Sequence, residues 1–159
     1  MWMFVWAAVA APPEVVVNDD NSVHGEVVVP LPVDVVRAKL ADPVWIASID
    51  GSGTTVEVFE RKGDCVVTDS VSPNAVKTVR YRVERCPTAD GYAGKLVSSN
   101  AFDAYATRWS FAADGTGTRI SYDLITETSL MVPQFVINQQ TKKGVLNLLT
   151  KLQGALATP

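Results

Sequence analysis

Histidine occurs once in this chain, at His24, and cysteine only twice, at Cys65 and Cys86. With one histidine and no H-E-x-x-H or C-x-x-C spacing, no ligand set for a zinc ion can be assembled from the sequence. A G-x-S-x-G elbow is also missing, and neither cysteine has a second histidine to activate it, so acyl-transfer chemistry has no nucleophile to start from. Lysine and arginine never cluster. Together with a net charge of −3 and a pI near 5.1, this argues against nucleic acid, whose phosphates demand a basic face. Gly51-Ser52-Gly53 lacks the Gly-Lys-Ser/Thr ending of a phosphate loop and opens no helix, so it reads as a turn. No cofactor is implied. The apolar run at the N-terminus is interrupted by Glu14, well short of the roughly 20 residues a transmembrane helix needs, and there is no internal repeat or low-complexity tract.

What is present fits one domain. The 159 residues are 47% hydrophobic and 19% charged, with a mean hydropathy of +0.13, enough for a single sizeable core. The first eleven residues, MWMFVWAAVAA, place Ala8-Val9-Ala10 as a small-x-small site before Ala11-Pro12-Pro13, which resembles a signal peptide over 1–11. No Lys or Arg precedes Arg37, so the positive n-region is lacking, and a buried N-terminal strand or an anchor is the competing reading. The expectation is export, periplasmic or secreted, rather than a cytoplasmic location, with 12–22 as a linker and 23–158 as the domain. Export would let Cys65 and Cys86 oxidise, whereas a reducing compartment would keep them as thiols. A hairpin would bring them to the same end of the sheet. Simple alternation nevertheless sets them on opposite faces, and a bridge then needs a bulge or a shifted register. The pairing stays open.

From Val23 to Val29 apolar residues alternate with His24 and Glu26, the pattern of a half-buried strand with His24 facing away from the core. Pro32 opens a short helix that stops before Pro43, and a second short turn, PVWIAS, follows. After Gly53 the period changes to two and stays so to about Glu127. Turn signals cut this stretch into six strands at 54–60, 64–71, 76–86, 92–98, 104–113 and 117–127. Their short connections make an antiparallel meander. From Leu130 onward the period returns to 3.6, with Ile137, Thr141, Gly144, Val145, Leu148, Leu149, Leu152 and Leu156 on one stripe of a long helix. Pro133 suits its entry.

The alternation assigns the inward faces. Val79, Tyr81 and Val83 oppose Arg80, Arg82 and Glu84; Tyr105, Thr107, Trp109 and Phe111 oppose Arg108; Ile120, Tyr122 and Leu124 oppose Arg119 and Asp123. Asp69 shares alternation with Val67 and Val71, and is either an inward, desolvated carboxylate of raised pKa or an exposed strand-end residue. Trp45 is either part of a gate or core packing. Tyr81, Tyr105, Trp109 and Tyr122 each carry one polar tip on a large apolar body, a set that can orient an apolar ligand with a single polar group. Thr141 and Gly144 stand on the helix stripe where a helix that only sealed a core would carry bulk. Space between helix and sheet is therefore expected. A filled core, its polar tips bonded to backbone or water, is the alternative.

The order strand, two short helices, six-stranded meander and long C-terminal helix, carried by VVVPLPVDVVRAKLADPVW near the start and MVPQFVINQQTKKGVLNLL at the end, resembles the START-like (SRPBCC) superfamily. That superfamily takes in polyketide cyclase/dehydrase proteins, the birch-pollen allergen type and coenzyme Q-binding proteins. The resemblance covers about 24–156 and implies an α+β helix-grip fold, a curved antiparallel sheet wrapped around the last helix. It further implies a hydrophobic pocket between helix and sheet that binds lipids, sterols or polyketides. The expected site is Tyr81, Tyr105, Thr107, Trp109, Tyr122, Thr141, Gly144, Val145 and Leu148. The expected partner is a hydrophobic small molecule, a lipid foremost, bound by a monomer without chemistry. A cyclase/aromatase-like enzyme and a protein-interaction module with a filled core are the rival readings.

Overall fold

A computed structural model describes residues 10–73 and 77–158. The signal-peptide reading of 1–11 falls almost wholly outside them. Eight strands form one antiparallel sheet: β1 (Glu14–Val17), β2 (Val23–Val29), β3 (Thr55–Lys62), β4 (Cys65–Ser72), β5 (Val79–Pro87), β6 (Gly91–Ser99), β7 (Phe102–Asp114) and β8 (Gly117–Thr128). Their spatial order is β1-β2-β8-β7-β6-β5-β4-β3. The six-stranded meander expected from the alternation is present, and β2 closes it by pairing with β8 from Val23↔Leu124 to Val29↔Thr118. Three helices complete the chain: α1 (Val33–Leu40), α2 (Pro43–Asp50) and α3 (Gln134–Ala155).

The linker expected over 12–22 is instead a hairpin. Glu14 to Val17 pair with Glu26 to Val23, and the turn between them closes through Asn18 N–H to the Ser22 carbonyl, 2.8 Å, with Asn21 at φ 65°. Asparagine tolerates that left-handed backbone better than most residues. Val15 and Val17 pack on the core, which is the gain that holds so short a strand in place.

Local chemistry sets the short helices. The Asp42 side chain accepts from Val44 N–H at 2.9 Å and Pro43 occupies the first turn, so α2 starts there. It ends at Gly51, whose φ of 70° is the left-handed cap that glycine adopts without strain. Trp45 packs against the core cluster rather than standing over a gap. α1 is tied to the sheet by Arg37, which donates to the carbonyls of Thr88 at 2.7 Å and Gly91 at 3.3 Å, while the Tyr92 hydroxyl donates back to the Arg37 carbonyl at 3.0 Å.

α3 is buried over one half only, its other half being tied by Asn138, which donates to Asn21 Oδ1 at 2.8 Å. Its buried residues are Val145, Leu149 and Leu152, and none of the residues from Gln134 to Gly144 is buried. The C-terminal half comes down onto β2 at Gly25, where a Cβ would lie 2.6 Å from Leu149 Cδ1 and 3.0 Å from Val145 Cγ1. A side chain at that position would push the helix off the sheet. Leu149 and Leu152 then join Val23, Val27, Val36, Leu40 and Ile120 in the core.

Cys65 and Cys86 form a disulfide with their Cα atoms 4.2 Å apart. The expectation that they face opposite ways is corrected by the register. β4 and β5 pair Val66 with Arg85, so the next pair outward is Cys65 with Cys86, directly opposite and on one face. The bridge lies on the outer surface of the sheet, as does Asp69. That carboxylate does not point inward: it takes two hydrogen bonds from Arg82, at 2.6 Å and 2.9 Å, which hold its pKa below rather than above the usual range.

His24 also lies on the outer surface, between Asp123 (Nδ1 to Oδ1, 2.6 Å) and Glu26 (Nε2 to Oε1, 3.1 Å). Burial alone would lower its pKa, but the two carboxylates outweigh burial and raise it above the ordinary 6.5. A group raised on folding stabilises fully below its unfolded pKa and loses that contribution as pH climbs through the folded value. The thermal stability advantage of the native chain over His24→Gln is therefore expected to be largest below about pH 6.5 and to fade above it. A constant difference across that range would contradict the pairing.

Candidate ligand-binding site

The inward residues of β4, β5, β7 and β8, together with α2 and the N-terminal half of α3, enclose two adjoining chambers. The outer one has a volume of about 540 Å³ and lies under α3. The inner one, about 190 Å³, lies under α2. Asp50, Tyr81, Tyr105, Tyr122 and Leu148 belong to both and mark the neck. All nine residues named from the sequence line this space. Thr107 and Trp109 border the inner chamber, Thr141, Gly144 and Val145 the outer, and the three tyrosines and Leu148 both.

The missing bulk on α3 is where the space lies. A Cβ built on Gly144 would meet nothing within 4 Å. Exposed Ser52, Gln140, Gly144 and Asn147 form the rim, and Leu130 and Val132, between β8 and α3, line the same chamber. Inside, the wall turns apolar with Val79, Phe102, Leu124 and Ile137. Phe102 stacks edge-on to Tyr81 at 5.3 Å, and Tyr81 lies 5.1 Å from Tyr105. Trp109 is packed on Tyr122 at 4.2 Å and is nearly sealed from solvent, so it serves mainly as the chamber's floor.

The hydroxyls of Tyr81, Tyr105 and Tyr122 lie close enough to interact, and Ser70 joins them on the Tyr81 side. Burial, the largest cause, raises the pKa of each above the usual tyrosine value. They keep their protons at neutral pH and act as hydrogen-bond donors and acceptors, not as bases.

Sequence reasoning missed the polar end of this space. Thr68, Ser70 and Arg85 line the inner chamber, and Asp50 stands at the neck. Arg85 follows Val83 by two residues on the same inward face, so extending the alternation one step would have found it. Burial pushes its guanidinium down to about 10, which leaves it charged at neutral pH. The group of Cys65, Glu84 and Cys86, whose ligand atoms lie within 4.8 Å of one another, is no metal site while its two sulfurs are bonded to each other. No helix among the described residues is long and apolar enough to cross a membrane.

No family model matches the chain, and no curated protein matches it. Solved structures do. A START superfamily protein from Mycobacterium smegmatis is similar with a TM-score of 0.75 at 16% identity, over 85% of this chain and 96% of that one. The Zhui aromatase/cyclase from Streptomyces sp. R1128 aligns with a TM-score of 0.68 at 17% identity, over 85% and 92%. The STAR-related lipid transfer protein from Xanthomonas axonopodis (fragment 25–204) aligns with a TM-score of 0.69 at 15% identity, over 94% and 96%. With its curved eight-stranded sheet, two short helices and long C-terminal helix, the chain has the START-like helix-grip fold.

Proposed function

We propose that this protein binds a hydrophobic small molecule, foremost a lipid, in the paired chambers under α3, as a carrier or sensor. The observation that carries the reading is the 540 Å³ outer chamber, within the range of small-molecule sites, apolar along most of its wall and provided with a few convergent hydroxyls at one end. A filled core, the alternative that an interaction module would need, does not fit a helix with half its length unburied over open space. Turnover is the second reading, favoured by the structural likeness to an aromatase/cyclase. The inner tyrosines hold their protons too firmly to act as bases, and binding without chemistry fits them better. The chain is further proposed to act as an exported monomer. The disulfide supports an oxidising compartment, and the N-terminal sequence of protein recovered from the producing cell tests it, since retention of Met1 in a cytoplasmic fraction would sink export.

The test of binding is native mass spectrometry of protein purified without detergent, then incubated with mixed lipids and aromatic amphiphiles. An added mass of a few hundred daltons is expected for the native chain and not for Gly144→Trp, whose side chain enters free space at the rim. The substitution should leave the fold intact while reducing affinity at least about tenfold, the scale on which a blocked pocket forfeits ligand burial. A mass that stays bare, or an affinity untouched by Gly144→Trp, overturns the placement.

A further inference from the structure

The two chambers differ in charge as well as size. Among the described residues Asp50 and Arg85 are the only charged ones on their walls, and Arg85 belongs to the inner chamber alone. Its guanidinium lies 4.1 Å above the Tyr92 ring. Nη2 donates to the Leu40 carbonyl at 2.5 Å and Nη1 to the Ala41 carbonyl at 3.2 Å. These are carbonyls that the end of α1 leaves without helical partners, and the helix C-terminus favours a cation. That accounts for the position of Arg85 but not for its full capacity, because a guanidinium carries five N–H donors.

Two observations bear on the remainder. Three arginines of the outer surface find carboxylates, Arg82 with Asp69, Arg108 with Asp90 and Arg119 with Asp114 and Glu26, whereas Arg61 and Arg80 stand exposed in water. Among the described residues Arg85 forms no such pair, although it is the arginine that stands in the cavity wall. Its Nε–H also has no protein acceptor among them. No fully buried side-chain nitrogen or oxygen is left without a partner, so this donor opens onto accessible space. Around it stand hydroxyls: Thr68, Ser70, Thr107 and the tyrosines of the neck. A cation in a confined, largely desolvated chamber is costly until an anion meets it.

We infer that the ligand is an amphiphile with a carboxylate head, inserted head first, so that the carboxylate accepts hydrogen bonds from Arg85 in the inner chamber while its apolar chain lies in the outer chamber under α3. This rests on the binding reading above. A planar two-oxygen anion matches the guanidinium fork, and the neck tyrosines supply donors to its second oxygen. Asp50, which borders both chambers, forms no ion pair with Arg85 among the described residues.

The experiment compares a long-chain fatty acid with the fatty alcohol of equal length, by isothermal titration or fluorescent-probe displacement at neutral pH, on the native chain and on Arg85→Gln. The native chain should prefer the acid by at least about tenfold, the factor for one hydrogen bond to a charged group, and Arg85→Gln should erase the preference by losing more affinity for the acid than for the alcohol. Equal native affinity for both probes overturns the inference and leaves the binding reading standing; failure to bind either removes both. Because Arg85 also caps α1, a second readout that does not depend on the folding of Arg85→Gln uses the native chain alone. The carboxyl carbon of bound, 13C-labelled fatty acid should titrate at lower pH than the same acid in neutral micelles, and an equal or higher titration point overturns the inference.

Discussion

Leu149→Ala is expected to lower the unfolding free energy by about 2–5 kcal/mol, the range for truncating a fully buried leucine in a core that cannot collapse around the gap. Leu149 has no exposed surface. It is the side chain that meets β2 at Gly25, with Val145 one turn before it and Leu152 one turn after. The sheet cannot close on the gap, because β2 is locked between β1 and β8. Urea denaturation gives the measurement, with the m-value checked for constancy. Leu146→Ala is the control: this leucine of the same helix is 41% exposed, and its loss should stay within about 0.5–1 kcal/mol. Equal effects of the two substitutions would show that α3 does not dock as described.

Removing the disulfide is the second large effect. Cys65 and Cys86 are 21 residues apart in sequence, and closing a loop of that length in the unfolded chain corresponds to about 3 kcal/mol in the chain-entropy description. The double substitution Cys65→Ala/Cys86→Ala should lower stability by that amount, and reductant should lower the native chain to the same level without affecting the double variant. Within the folded state the bridge joins the strand pair next to Val66 and Arg85, on the outer surface, so the chamber walls should survive its loss. A native chain whose denaturation curve ignores reductant would contradict the bridge.

How far the sequence could be read depended on how local each question was. The two alternations, period two from just after Gly53 to about Glu127 and 3.6 from Leu130 onward, indicated element type and inward faces, and through them the tyrosines and Thr107 of the chamber walls. The gap at Thr141 and Gly144 was legible because a missing side chain on an apolar stripe is a local signal. β1 was not, since four residues carry too little pattern to outweigh Pro12-Pro13 on one side and Asn18 to Ser22 on the other; only pairing with β2 makes Glu14 to Val17 a strand. The cysteines failed for a related reason. Counting parity along the chain assumes a turn geometry, whereas the register between β4 and β5 is set by the whole pairing from Val66 to Ser72 and by the length of the connection. Division of the cavity into two chambers was beyond any one-dimensional pattern, because it requires α2 to settle against β3 and α3 while α3 lies across β1 and β2.

The half-buried helix also has a mechanical side. From Val145 onward α3 is clamped to the sheet, whereas the eleven positions from Gln134 to Gly144 contribute nothing to the core. α3 is thus a cantilever whose fulcrum lies beside a glycine, the residue that stiffens a helix least. Tilting its N-terminal arm would cost the hydrogen bond from Asn138 to Asn21 and partial contacts, but no fully buried side chain. On the proposed binding reading, such a tilt would admit a ligand while the clamped half and the core stay in place.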